Sequence, residues 1–187
     1  MHGPRYRLGF RRKREGRTNY RKRLKLLQSL KPRLVIRKSS NHINVQLLEF
    51  SERGDIVITS SHSKELKKYG WLGGTSNLAA AYLTGLLCGQ KAKQKVKEAV
   101  LDIEFTMPIK GCKVFAALKG VIDAGIEVPH GEDVFPSQER IKGAHIANYA
   151  GTLKDKKEKF SKYLERGLDP TSISKHFDEV AAKIKGE

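Results

Sequence analysis

Residues 5–23 read R-Y-R-L-G-F-R-R-K-R-E-G-R-T-N-Y-R-K-R, and no hydrophobic core can take in such a run. It must lie on a surface and meet a polyanion. The excess is local. Residues 1–38 hold fifteen Lys and Arg against one acidic side chain, Glu15, whereas the other 149 residues carry 22 against 19. A basic arm of net +14 is therefore joined to a body of net +3. At 39% hydrophobic and 30% charged, the chain has enough apolar residues for one globular domain with appendages.

Several classes drop out. No apolar run approaches the ~20 residues of a transmembrane helix, and the basic N-terminus lacks the apolar stretch of a signal peptide. Arg11-Arg12 precedes more charge, not the hydrophobic segment of a twin-arginine export signal. Cys88 and Cys112 are too few for a disulfide framework and fit a reducing, intracellular compartment. Six histidines, at 2, 42, 62, 130, 145 and 176, show no i, i+4 pair, so neither a metal nor a cofactor is expected.

In the arm, arginine outnumbers lysine and Tyr6, Phe10 and Tyr20 are interleaved. Guanidinium chelates phosphate and stacks on bases, and aromatics stack on unpaired bases. A nuclear localisation signal is usually shorter and needs no aromatics. A membrane-surface helix needs an apolar face, which residues 1–17 lack. Residues 18–30 have one in Tyr20, Leu24 and Leu27, with Leu30 nearby. Thr18 or Asn19 is expected to cap that helix and Lys31-Pro32 to end it. Its apolar face is expected to dock on the body, with Arg21, Lys22 and Arg23 facing the polyanion.

The body begins with strands. Residues 33–40, 42–50 and 55–62 are apolar or alternating, and short turns join them, which predicts an antiparallel meander. A short helical stretch follows over 63–68, ended by Gly70. The spacing predicts a long helix to about Gln90, capped by Thr75 or Ser76, with Gly85 and Gly89 on its apolar stripe packed close to the sheet. Residues 91–97 form a basic turn. A fourth strand is expected over 99–105, with Ala99, Leu101, Ile103 and Phe105 on one face. A helix over 112–124 and a short strand at 126–128 complete an α/β sheet. Beyond Pro129, helices are expected over 137–149, over 152–166, and after an Asp169-Pro170 start carrying Ile173, Phe177, Val180, Ala181 and Ile184. They are too polar to make a core of their own.

Little in the chain suggests catalysis. Residues 73–76, Gly-Gly-Thr-Ser, lack the lysine of a P-loop and suit an RNA backbone near Lys64, Lys67 and Lys68 better than a nucleotide triphosphate. Asp102 and Glu104 share a strand face, as nuclease carboxylates do, but the first strand offers Arg33, Arg37 and Lys38 where another carboxylate would be needed. A metal-dependent nuclease using Asp102, Glu104 and Asp123 stands as the alternative function, and an adaptor for an acidic partner as a weaker one. His130 lies in a polar loop, and Cys88 suits a buried, inert thiol.

Certain segments match a known family in order. They include Arg14 to Thr18, Lys31 to Val35, His62 to Trp71, Asn77 to Gly85, Phe115 to Gly120, Asp123 to Gly125, Ile126 to Gly131, and Phe135 to Ser137. The chain resembles the universal large-subunit ribosomal protein eighteen family in its archaeal form, which is related to eukaryotic large-subunit ribosomal protein five. Residues 152–187 are the least distinctive part and resemble that form's C-terminal extension. The resemblance implies a mixed sheet of ribonuclease-H-like type without catalysis. It further implies binding to 5S ribosomal RNA in the central protuberance, with contacts to large-subunit ribosomal RNA and to universal protein five. It places the protein in the cytoplasm, within the large subunit, with no small-molecule substrate. Three parts follow: an RNA-binding arm and helix at 1–31, an α/β sheet domain at 32–129 and a helical extension at 130–187. RNA contact is expected at Arg5, Tyr6, Arg7, Arg11, Arg12, Lys13, Arg14, Arg17, Tyr20, Arg21, Lys22 and Arg23. It is also expected at Arg37, Lys38, His62, Lys64, Lys67, Lys68 and Trp71, with residues 91–97 as further candidates.

Overall fold

A computed structural model describes residues 6–153 and 155–186. Two short helices, α1 (Arg11–Arg14) and α2 (Tyr20–Leu27), precede strands β1 (Arg33–Lys38), β2 (Ile43–Glu49) and β3 (Ile56–His62). A 3₁₀ helix over Ser63–Tyr69 leads to α3 (Leu78–Ala92), β4 (Val100–Asp102) and α4 (Lys113–Asp123). Then come α5 (Gln138–Lys142), α6 (Ala144–Thr152), α7 (Lys157–Leu164) and α8 (Ile173–Lys185). The sheet order is β3-β2-β1-β4. The first three strands form the expected antiparallel meander, and β4 runs parallel to β1.

The fourth strand is shorter than its pattern. Asp102 Oδ1 accepts the Glu104 N–H at 3.0 Å, and Glu104 turns to φ +53. That local turn ends the ladder after three residues and leaves Phe105 55% exposed, apart from Ala99, Leu101 and Ile103, which pack at the core. The strand read at 126–128 is reduced to one bridge, Glu98 to Glu127.

Leu34, Ile36, Ile43, Val45 and Leu47 point from one sheet face into a core shared with α3 and α4. A second cluster on the far side of α3 joins Leu66, Trp71, Leu83 and Leu87 to Ile141, Ile173, Phe177, Val180 and Ile184. Helix α3 is therefore buried on nearly every side, and the C-terminal helices complete its cover. The glycines of α3 make a close approach to α4 rather than to the sheet. A Cβ on Gly85 would lie 2.0 Å from the Ala117 carbonyl oxygen, and one on Gly120 would lie 2.2 Å from that of Tyr82.

Several helix limits differ from the sequence reading. Asn77 caps α3, accepting the Ala80 N–H at 2.7 Å. Thr75 and Ser76 instead donate to the carbonyls of Asn41 and Ser39 and tie this loop to the β1–β2 turn. The helix expected over 137–149 breaks at Gly143, whose φ of +84 closes α5. The one expected over 152–166 narrows to α7, because Thr152 already ends α6. The Asp169-Pro170 start is present, with Asp169 accepting the Thr171 N–H.

The glycine contact sets a test. Gly85→Ala gains helix propensity of about 1 kcal/mol but forces α3 from α4. A net loss of about 1–3 kcal/mol is expected in urea unfolding. A neutral or stabilised variant would show that the two backbones do not approach this closely.

Candidate nucleic-acid interface

The sheet face away from the core carries charge. On β1, Arg33, Val35 and Arg37 alternate with the core residues. Register pairs Val35 with Asp102, so Asp102 shares that face. Arg33 is only 3% exposed. Its Nη2 donates to Asp55 Oδ2 at 2.6 Å and its Nη1 to Asp102 Oδ2 at 2.9 Å. Arg23 from α2 adds a two-pronged pair to Asp55, at 2.8 and 2.9 Å. Arg37 donates to the Asp102 carbonyl at 2.9 Å and lies 3.1 Å from Glu104 Oε2. The result is an alternating ladder, Arg23, Asp55, Arg33, Asp102, Arg37, Glu104, which ties α2 to the sheet. Burial works against the Asp55 carboxylate, but hydrogen bonds from Arg23 and Arg33 outweigh it and hold its carboxyl below the usual range.

The ladder changes the meaning of the nuclease carboxylates. Asp102 and Glu104 are engaged by arginines. Asp123 lies at the end of α4, on the core side of the sheet, bound by Tyr82 Oη and Lys119 Nζ, each at 2.9 Å. The three do not come together.

Arg5 lies outside the described residues. Tyr6, Arg7, Arg11, Arg12, Lys13, Arg14 and Arg17 are exposed. Arg12 Nε donates to Thr18 Oγ1 at 2.8 Å and Arg14 Nε to the Gly9 carbonyl at 3.1 Å. Asn19 caps α2, whose helical extent ends at Leu27. This helix is turned only partly as expected: Leu27 is half-buried, but the rest of the apolar face stands out. Tyr20 and Leu24 are 37% and 61% exposed, Leu30 beyond it 94%, while Arg23 faces inward to Asp55. The bidentate pair of Arg23 with Asp55 fixes which side of the helix meets the sheet, beside the half-buried Leu26 and Leu27. Arg21 and Lys22 remain exposed, and Tyr20 packs on Phe10 with ring centres 5.2 Å apart. An open groove of about 800 Å³ runs between α2 and the sheet, with Arg12, Tyr20, Lys22 and Lys25 on its lining and Val35 and Leu101 among its apolar residues.

A second cationic surface lies at the 3₁₀ helix. His62 caps it, its Nδ1 accepting the Lys64 N–H at 3.1 Å while Glu65 accepts the His62 N–H at 2.9 Å. Lys64, Lys67 and Lys68 are exposed around it, as is Lys38 at the end of β1. The His42 ring lies 4.8 Å from that of His62; desolvation and the charges of His62, Lys64 and Lys67 hold it below its ordinary value. In the 91–97 turn, Lys93, Lys95 and Lys97 are exposed, but Lys91 is paired with Glu65 at 2.5 Å.

Trp71 is not part of this surface. It is 2% exposed, its Nε1 donates to the Gly74 carbonyl, and its ring stacks on His176. The resemblance places Trp71 among the RNA contacts, but α8 packs its His176 on the ring. The same packing occupies the Gly-Gly loop, where Gly74 N donates to Tyr163 Oη and Arg166 Nη1 to the Gly73 carbonyl. From sequence, Asp55 marks only the junction of a turn and the third strand and has no role of its own. A signal was present: arginines at 33 and 37 share strand parity, and so do acids at 102 and 104.

The model of the family described as ribosomal large subunit proteins 60S L5 and 50S L18 matches residues 4–99 and 90–131. A relative from Methanothermobacter thermautotrophicus, named large ribosomal subunit protein uL18, is 54% identical over all of this chain and 98% of its own length. The family match thus takes in the arm, the sheet and α4, and the relative extends the similarity through α8.

The ladder is testable without RNA. Asp55→Asn leaves Arg23 unpaired and Arg33 with one carboxylate. A cost of about 2–4 kcal/mol is expected, below that of a wholly buried pair because the Asp55 side chain is 20% exposed. The folded carboxyl titrates below its ordinary 3.8, so the pairing contributes fully above that pH. It is lost as the pH falls through the lowered value. The stability gap between wild type and Asp55→Asn should therefore be constant near neutrality and close below about pH 4. A gap that does not shrink at all as the pH falls below 3.8 would contradict the ladder.

Proposed function

The chain belongs to the family of ribosomal large-subunit proteins 60S L5 and 50S L18, and from that membership we propose that it binds 5S ribosomal RNA. In this reading it helps to attach that RNA to the large-subunit ribosomal RNA in the central protuberance, beside universal protein five, within the cytoplasm. It acts as a structural component rather than a catalyst. Among the described residues, no helix is long and apolar enough to cross a membrane.

One observation carries the reading: the body's buried cations are paired internally, whereas the arm's stand in solvent. Arg33 is enclosed by Asp55 and Asp102, and Arg37 is paired with Glu104. Arg7, Arg11, Lys13, Arg14, Arg17, Arg21 and Lys22 are exposed. Body ion pairs fix shape, and arm cations supply phosphate contacts. Exposed Tyr6, Phe10 and Tyr20 offer rings for unstacked bases. Arg12 of α1 and Lys38 at the end of β1 join the exposed set, and His62, Lys64, Lys67 and Lys68 offer a second contact with the RNA backbone. Arg23 and Arg37 act indirectly, by holding α2 and the strand end in place. The division into an arm and helix at 1–31, a sheet domain at 32–129 and a helical extension at 130–187 follows the same roles. The extension's part is to cover α3 and to hold the loop at Trp71.

The full chain should bind 5S ribosomal RNA in preference to transfer RNA, and its affinity should fall steeply with salt. Replacing Arg7, Lys13, Arg14 and Arg21 together by Gln should reduce the log–log salt slope by roughly three, at about 0.7–0.9 per phosphate contact. Equal affinity for transfer RNA, or an unaltered slope, would refute the assignment.

A further inference from the structure

Glu15 is the lone acidic side chain among residues 1–38, in a segment with fifteen basic ones. For a surface that binds polyanion, a carboxylate there opposes binding, so its presence calls for a cause. Its contacts supply one. Glu15 Oε1 accepts from Arg11 Nε at 2.7 Å, and Oε2 lies 3.2 Å from Arg17 Nε. These arginines stand on opposite sides of a tight chain reversal. Glu15 is the C-cap of α1, Gly16 takes the left-handed φ of +63, and the N–H groups of Arg17 and Thr18 both return to the Arg12 carbonyl. The Arg12 side chain closes the same loop through Thr18, which is 8% exposed. The backbone is thus fixed where the carboxylate sits.

We propose that Glu15 is a positioning residue for RNA recognition, holding Arg11 and Arg17 at a set spacing as a two-pronged clamp for backbone phosphate. The proposal rests on the RNA-binding reading above. Each arginine gives one nitrogen to Glu15, and the two side chains stay 81% and 66% exposed. Exposed pairs of this kind contribute little to folding. Their effect lies in pre-ordering two long side chains that an unconstrained arm would have to order on binding. A structured RNA with phosphates at a fixed spacing benefits from the clamp. An unstructured polyanion does not, and meets one positive charge fewer.

The two accounts of Glu15 differ in sign. If the carboxylate merely repels RNA, Glu15→Gln in the full chain tightens binding to 5S ribosomal RNA and to polyuridine of equal length alike. If it positions the arginines, polyuridine binding tightens about two- to fivefold at 0.1 M salt. Binding to 5S ribosomal RNA then weakens about three- to tenfold, the worth of two exposed charge pairs. A 5S affinity that rises or stays level overturns the proposal. In a chain already carrying Arg11→Ala and Arg17→Ala, Glu15→Gln should cost no further 5S affinity, and an equal further loss also overturns it. Helix α1 buries no residue, so the thermal midpoint should not move; a loss of affinity that tracks a falling midpoint counts against positioning. Should the unaltered chain fail to prefer 5S ribosomal RNA over polyuridine, the RNA-binding reading fails and Glu15's role with it. A clear preference that Glu15→Gln leaves intact refutes the role of Glu15 alone.

Discussion

Arg33 sits on the central strand with 3% of its surface exposed, and its guanidinium is bracketed by Asp55 and Asp102. A charge so placed is tolerated only when paired; both terminal nitrogens of Arg33 are, while its buried Nε has no partner among the described residues, and removing one carboxylate costs far more than the pair contributes over an apolar replacement. The arrangement therefore constrains its surroundings. Asp55 must sit at the mouth of β3, β4 must bring Asp102 to the same face, and α2 must lie where Arg23 reaches Asp55. The junction between the arm and the sheet is oriented by this ladder, beside the half-buried Leu26 and Leu27 of α2.

The meander, the helix over α4 and the Asp169-Pro170 start were legible because each rests on local chemistry: alternation, turn residues and a proline at a helix start. The errors came where a distant residue decides the outcome. Arg23 read as a free cation because its partner is 32 positions away. Trp71 stood among the expected RNA contacts because the ring that covers it, His176, belongs to the last helix. Gly85 and Gly89 mark a close approach as expected, but the expected partner was the sheet, and the fold shows that it is α4. The break at Gly143 was visible as a glycine, yet apolar spacing on both sides suggested one helix. Exposed cationic residues such as Lys64 and Lys67 were the easier part of the site, because lysine seldom goes elsewhere.

Charge is handled differently in the two parts of the chain. In the body, cations and anions alternate at hydrogen-bond distance and fix shape. In the arm, cations stand apart in solvent, with Glu15 as an internal counter-charge between two of them. The first arrangement does not depend on a partner. The second leaves most of its charge open to phosphate, which suits a component of a ribonucleoprotein. The alternation of acids and arginines on β1 and β4 also explains why a sheet face with paired carboxylates holds α2 in place here.

The central claim is that RNA meets the arm and the 3₁₀ surface, while the Trp71 loop and the C-terminal helices serve the fold. Photocrosslinking of the full chain to 5S ribosomal RNA, with crosslinked peptides mapped by mass spectrometry, tests it most directly. Crosslinks should fall within residues 6–22 and 62–68, with Tyr6, Phe10 and Tyr20 prominent. Crosslinks concentrated on Trp71, on the 103–111 loop or on α7 and α8 would contradict it.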